Sequence, residues 1–263
     1  MASSIPQLFK EKKVCVLVPT YNNATTLPQV LKNILVFTDQ IIVVNDGSTD
    51  ATLSVVAEFP EAEIVSYSDN QGKGYALRKG FQQAVRSGYE YAITIDSDGQ
   101  HYADDLPAFL AMLNEHPNAI IIGSRNMNQA SVPGKSSFGN KFSNFWFWVE
   151  TGIRRNDTQS GYRLYPLKAL EHIRFFTRKY EFEIEVIVRA AWNGVDVIEV
   201  PVNVFYPEKE KRISHFRPFR DFSRISVLNT VLVTITFLYI RPRDFFRSLK
   251  KKNSGKSSPI FSL

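Results

Sequence analysis

A chain of 263 residues with 44% hydrophobic composition can bury a sizeable core and fits one large domain, or one domain with an appendage, rather than a small stapled module. Its single cysteine, Cys15, lies in an apolar run and reads as a buried free thiol, so an internal disulfide framework is excluded. The net charge of +6 favours a polyanion, an anionic membrane surface or a phosphorylated substrate as partner.

The opening segment "MASSIPQLFKEKK" lacks the apolar stretch of a secretory signal, and the body of the chain is expected to be cytosolic. Five short apolar runs follow: "VCVLVP", "IIVVND", "AEIVSY", "YAITID" and "AIIIGS". Stretches of helical character separate them, among them "TTLPQVLKNILVF" and "GYALRKGFQQAVRSG". Continuous β-branched runs alternating with helices predict an α/β fold with a mostly parallel sheet covered on both faces. Thr49 or Asp50 is expected to cap a helix starting near Ala51, and Gly88 to end the helix containing Phe81 and Val85.

Each run ends in a polar cluster: "PTYNN", "NDGSTD", "DNQGKG", "DSDGQH" and "GSRN". One such cluster is ordinary turn chemistry. Five in succession at the carboxyl ends of parallel strands predict one shared ligand crevice.

Beyond residue 126 the chain becomes aromatic and basic. "FEIEVIV" alternates with a period of two while "EVIVRAAW" suits a helix, so periodicity leaves that piece open. "VDVIEVPVNVFY" reads as a strand. A basic loop, "PEKEKRISHFRPFR", leads to the run "VLNTVLVTITFLYI", residues 227–240. Interrupted by Asn229 and three threonines, this run falls short of the roughly 20 apolar residues of a spanning helix. Arg217, Arg220 and Arg224 before it and "RPRDFFRSLKKK" after it suit an interfacial segment on an anionic leaflet. The competing reading is a core or homo-oligomer-forming helix. The expected division is a catalytic domain at 1–216, a basic and apolar segment at 217–250, and a disordered tail at 251–263.

Asp96 and Asp98, one residue apart at a strand end, repel each other unless a cation lies between them. An EF-hand is excluded because His101 stands where that loop needs glycine and Pro107 where it needs glutamate. No G-x-G-x-x-G follows the first strand, and Lys73 is followed by Gly74 rather than Ser or Thr, so neither a dinucleotide fold nor a P-loop is indicated. The remaining reading is Mg²⁺ or Mn²⁺ held by the carboxylates and by the oxygens of a bound diphosphate.

Together, "VLVPTYNN", "IIVVNDGSTD", "NQGKGYALRKG", "ITIDSDGQH", "GSRN" and "DTQSGYR" resemble the family 2 glycosyltransferases of the GT-A fold. Within that family they look most like the dolichol-phosphate mannosyltransferase and polyprenyl-phosphate sugar synthase branch. The resemblance runs from about Val14 to about Phe216. It implies an inverting, metal-dependent transfer of a sugar from a nucleotide sugar, GDP-mannose or a UDP-hexose, to a lipid-linked acceptor. Pro19, Tyr21, Asn23 and Asp46 would line the nucleotide site, with Lys73 and the Ser97 backbone close by. Asp96, Asp98 and Gln100 match the metal positions, and Arg125 a phosphate-contacting arginine. Uncharged Asn23 and Asn45 depart from the acidic residues usual in the branch, which leaves the base undecided.

The acceptor decides whether a base is needed. A lipid monophosphate is already ionised, whereas an alcohol needs a carboxylate or histidine in reach. Arg163, Arg212, Ser214 and His215 are the candidates for an acceptor phosphate. Asp157, placed before "TQSGYR" as in the family motif, is the candidate base. Glu181, Glu183 and Glu185 are weaker ones, expected on a solvent-facing surface. His101 and His172 suggest no nucleophilic pairing. The expected location is the cytoplasmic face of a membrane, with peripheral attachment and no nucleic-acid partner. Alternatives are the same fold acting on a glycan or cell-envelope acceptor, a nucleotidyltransferase, and a non-catalytic nucleotide-sugar binder.

Overall fold

The computed structural model describes residues 4–126, 134–205 and 217–254. The first half alternates helix and strand in the order α1 (Ile5–Glu11), β1 (Val14–Thr20), α2 (Leu27–Leu35), β2 (Ile41–Asp46), α3 (Thr52–Val56), β3 (Ala62–Tyr67), α4 (Lys73–Arg86) and β4 (Tyr91–Thr94). The second half continues with α5 (Leu106–Glu115), β5 (Ile120–Arg125), α6 (Gly134–Thr151), β6 (Arg163–Pro166), α7 (Leu167–Leu170), α8 (Phe182–Trp192) and β7 (Val197–Val202). The helix α9 (Pro218–Ile235) passes through a π-helical turn at Thr236–Ile240 into α10 (Arg241–Ser254).

Among the described residues the strands form one seven-stranded sheet in the order β3-β2-β1-β4-β6-β5-β7. β6 alone runs antiparallel, against both β4 and β5. All five expected strand runs are present, and β1 and β2 are buried along their whole length. Alternate residues explain this: Val14, Val16 and Val18 face a core shared with α1, α2 and α5, while Cys15 and Leu17 face one shared with α4, α6, α8 and α9. Burial pushes the Cys15 thiol well above its ordinary value, as expected for an inert core thiol.

Local signals behave as their chemistry requires. The Asp50 carboxylate accepts the Thr52 amide at 2.9 Å to start α3. Gly88, at φ 85, turns the chain out of α4.

Two expectations change. "FEIEVIV" belongs to α8, and Glu183 and Glu185 point inward, 9% and 1% exposed, not toward solvent. Glu185 is held there by the amides of Phe176 and Thr177, the Thr177 hydroxyl and Arg189 Nε, at 2.6 to 3.1 Å. The C-terminal apolar run is also no isolated short segment. The helix is continuous from Phe219 to Leu249, 31 residues, long and apolar enough by length and composition to cross a membrane. Counting only the uninterrupted run missed the aromatic residues on either side of it. One face of this helix, with Ile225, Leu228, Leu232 and Ile240, packs into the core, while Phe237, Leu238, Tyr239, Phe245 and Phe246 stay exposed.

Candidate functional site

The chain leaves β1 toward β2 on one side and returns to place β4 on the other, so a topological switch point lies between β1 and β4. Ligands bind at such points in open α/β sheets. A cleft of about 500 Å³ opens there, lined by Pro19 near the end of β1, Tyr21 and Asn23 after it, Asp46 at the end of β2, and Asp96, Ser97 and Asp98 after β4.

Hydrogen bonds join the strand-end loops into one rim. Asn22, at φ 48, donates its amide to Ser48 Oγ and accepts the Thr49 amide. Asp46 accepts the amides of Gln71 and Gly72, both at 2.8 Å, and the Asn70 side chain at 3.1 Å. Asn23 Nδ2 donates to Ser97 Oγ at 2.9 Å, and Thr26 Oγ1 donates to the Ser97 carbonyl. Gly47 has φ 66, and a Cβ there would sit 2.5 Å from the Asp69 carbonyl carbon, so only glycine lets the two loops pass.

Lys73, the first residue of α4, reaches Asp96 Oδ1 at 2.7 Å and Glu183 Oε1 at 3.1 Å. Burial alone would lower its pKa, but the charges of Asp96 and Glu183 outweigh it and hold the ammonium well above its usual range. Burial likewise opposes ionisation of Asp96, yet Lys73 keeps that carboxyl below its ordinary value. Gly161, in "DTQSGYR", closes over this trio: a Cβ would lie 2.8 Å from Lys73 Nζ and 2.9 Å from Asp96 Oδ2. Space around the ion cluster is therefore the physical reason for glycine in that motif.

Asp98 is in the opposite state. Burial, and then the Asp96 charge, push it up to about 6. One oxygen accepts the Gln100 amide at 3.0 Å. Two carboxylates facing a polar cleft, one of them made harder to ionise by burial and by its neighbour's charge, fit a hard divalent cation. Among the described residues no preformed cluster of three or more acidic, histidine or cysteine ligands is present.

Other expected site residues have different surroundings. Arg163 is fully buried, its guanidinium donating to the carbonyls of Ser160, Glu183 and Thr158 at 2.5 to 2.9 Å. It is a core fastener out of reach of an acceptor phosphate, which corrects the expectation. Asp157 is also fully buried and takes Arg125 Nε at 2.6 Å, Nη2 at 2.8 Å and the Arg125 amide at 3.0 Å. A carboxylate so enclosed is not a base for an acceptor hydroxyl, and Arg125 and Asp157 lie outside the residues lining the cleft. Gln100 also lies off the lining; its carbonyl accepts the Phe205 amide. His101 is 9% exposed, and burial drives it down to about 4, so it is neutral at physiological pH. Arg212, Ser214 and His215 lie outside the described residues.

The cleft also recruits residues that sequence reading assigned elsewhere or passed over: Lys179 and Tyr180 from the segment before α8, Arg217 at the start of α9, and Arg220, Asp221 and Arg224 within it. Glu185 and the Arg178 carbonyl, which accepts the Tyr75 amide at 2.8 Å, fix the first group in place. The three arginines were expected as membrane flanks. Their spacing of three and four residues was the available signal, since it puts them on one helical face.

The sequence model described as glycosyl transferase family 2 matches residues 15–174. The chain is 27% identical over 220 residues to a UDP-N-acetylglucosamine–dolichyl-phosphate N-acetylglucosaminyltransferase of Methanococcus voltae, covering 75% of this chain and 88% of that one. It is 29% identical over 216 residues to a polyprenol monophosphomannose synthase of Mycolicibacterium smegmatis, covering 77% and 80%. Among solved structures, glucosyl-3-phosphoglycerate synthase from Mycobacterium tuberculosis, in complex with Mn²⁺, UDP-glucose and phosphoglyceric acid, superposes with a TM-score of 0.62. At 18% identity, over 87% of this chain and 81% of that one, the likeness is one of fold.

Proposed function

The chain belongs to glycosyl transferase family 2, and from that premise we propose that this glycosyltransferase moves a sugar from a nucleotide sugar to a polyprenyl-phosphate-type lipid. The observation that carries the reading is the make-up of the cleft: paired carboxylates at the sheet's switch point face a wall of lysine and arginine. The donor nucleotide would lie against Pro19, Tyr21, Asn23 and Asp46, with its diphosphate toward Lys73. Mg²⁺ or Mn²⁺ held by Asp96 and Asp98 would supply charge that offsets the negative charge growing on the departing diphosphate.

The protein's own part is to orient and to screen charge. Lys73 is kept ionised by its two carboxylate partners, whose charges outweigh the effect of burial. A phosphate acceptor attacks with an oxygen that is already anionic, so the enclosure of Asp157 leaves nothing missing from the reaction. The exposed aromatic face of the C-terminal helix supports peripheral attachment to an anionic, cytoplasmic leaflet; pairing of two such faces into a homo-oligomer is the alternative occupant.

The test is a product assay with GDP-mannose, UDP-glucose and UDP-N-acetylglucosamine, each with Mn²⁺ and an isoprenyl phosphate, beside melting curves with each nucleotide. One donor is expected to raise the melting temperature and give an isoprenyl-phosphate sugar. Release of pyrophosphate from a nucleoside triphosphate instead, or transfer only to a glycan, would overturn the reading.

A further inference from the structure

Arg217, which caps the start of α9, and Arg220 and Arg224 within it stand at steps of three and four residues, and all three line the cleft. The same steps continue outward to Val227 and Val231, which are 65% and 47% exposed. Meanwhile Ile225, Leu228 and Leu232 turn into the core. One face of one helix is thus cationic inside the cleft and apolar where it leaves it, and Arg224 to Val231 covers about 10 Å of helix axis.

Neighbouring acids do not consume the cationic part. Asp221 is 5% exposed and accepts the amide of Arg217 at 2.7 Å, so it is folded back on the helix start. Among the described residues none of the three arginines forms an ion pair with a carboxylate. Arg224 Nη1 is buried with no hydrogen-bond partner among the described residues. Lys179 adds a further positive charge from the facing segment.

A ligand complementary to this face has an anionic head and an apolar chain. A phosphate monoester meets the first requirement with a charge near −2 and oxygens suited to guanidinium forks. Resting on the function proposed above, we propose that this face of α9 is the acceptor track: Arg220 and Arg224, with Lys179, hold the phosphate of a lipid monophosphate, and Val227 and Val231 carry the start of its chain. The helix that anchors the protein then also feeds its acceptor to the carboxylate end of the cleft.

Calorimetry in detergent, with farnesyl phosphate as the chain-bearing probe, isopentenyl phosphate as the short one, and a nucleoside diphosphate with Mn²⁺ as control, separates the parts. Arg220→Gln with Arg224→Gln is expected to weaken both phosphates about tenfold or more while sparing the nucleotide. Val227→Asp with Val231→Asp is expected to weaken farnesyl phosphate to a similar degree and leave isopentenyl phosphate unchanged. Arg220→Gln alone, at an exposed position, repeats the first arm should the double variant melt early. If the wild type binds farnesyl phosphate but the variants bind it equally well, the track is overturned and the proposed function stands. Nucleotide affinity lost with the arginines would assign them to the donor and also overturn it. A wild type that binds nucleotide but neither isoprenyl phosphate would overturn the functional reading, and the track with it.

Discussion

Lys73 Nζ lies 2.7 Å from Asp96 Oδ1 and reaches Glu183 Oε1 at 3.1 Å, so a single ammonium holds together the end of β4 and the start of α8. Both partners are mostly shielded from water. Lys73→Met leaves two carboxylates facing each other beside Asp98. It is expected to cost about 3 kcal/mol of stability, the effect of removing one partner from a buried ionic group. Millimolar Mn²⁺ should restore more stability to this variant than to the wild type, because the added cation replaces the lost charge. Melting curves with and without Mn²⁺ check it; equal Mn²⁺ shifts in both proteins would count against a metal beside Asp96.

The fold was largely legible because the first half repeats one rule: β-branched runs buried on both faces, each ending in a polar cluster at what became the switch point between β1 and β4. Pro19, Tyr21, Asn23, Asp46, Lys73, Asp96, Ser97 and Asp98 gather for that reason. What sequence could not show was the state of each charge. Arg163 and Asp157 carry the same side chains as ligands would, but three carbonyls satisfy the one and a guanidinium the other. Nor does alternation in "FEIEVIV" disclose that Glu185 is turned inward to accept the Phe176 and Thr177 amides.

Asp98 gives a pH signature. Its pKa rises from an ordinary 3.8 to about 6 through burial and the Asp96 charge, so the folded state binds the proton more tightly than the unfolded one. Stability then falls as pH rises from about 4 through about 6, and Asp98→Asn escapes that loss. At pH 7.5 the variant is expected to be more stable than wild type by about 1 to 3 kcal/mol, with the gap closing below pH 4. Its transferase activity should be lost. In the wild type, Mn²⁺ affinity should weaken as pH drops through about 6, since a ligating carboxylate must first shed its proton. Urea melts at the two pH values and a Mn²⁺ titration decide the matter.

Arg163→Ala is expected to act on the fold. The guanidinium binds three backbone carbonyls in the core, and its removal strands them without water, at a cost of about 3 to 5 kcal/mol. At low temperature the folded fraction should keep wild-type affinity for an isoprenyl phosphate. Selective loss of acceptor binding with an unchanged melting curve would restore Arg163 to the acceptor site.

Glu150 marks the joint between α6, α8 and the C-terminal helix, where its carbonyl accepts Trp192 Nε1 at 2.9 Å and Thr236 Oγ1 at 3.1 Å. Its carboxyl is 1% exposed, neither oxygen has a partner among the described residues, and burial pushes it up from 4.5 to about 8. The folded protein therefore holds a proton that the unfolded chain releases, and stability declines between pH 4.5 and 8. Glu150→Gln keeps the shape without the titration. It should flatten that part of the pH profile and raise stability at pH 8 by a few kcal/mol. Parallel profiles for the two proteins would show that the carboxyl has found a partner.

Membrane attachment is the last expectation, and the packing of the C-terminal helix decides how it is tested. Cutting the chain after Ser226 would remove Leu228 and Leu232, which are core residues, so loss of binding by such a truncation would report unfolding. The discriminating positions are those the core does not use: Leu238 at 77% exposure, with Phe245 and Phe246 at 60% and 61%. These lie beside Arg241, Arg243 and Arg247, and each basic residue near an anionic leaflet adds about 1 kcal/mol of attraction. Burying three large apolar side chains in the headgroup boundary adds about 1.5 kcal/mol or more for each. Leu238→Glu with Phe245→Glu and Phe246→Glu should leave the melting temperature close to wild type and abolish co-sedimentation with vesicles rich in phosphatidylglycerol. Binding by the wild type should fall as salt is raised, because the arginine contribution is screened while the apolar one is not. If the triple variant sediments with vesicles as the wild type does, the anchor lies elsewhere. If the wild type does not sediment but dimerises, and the variant is monomeric, the exposed face belongs to a second copy of the chain.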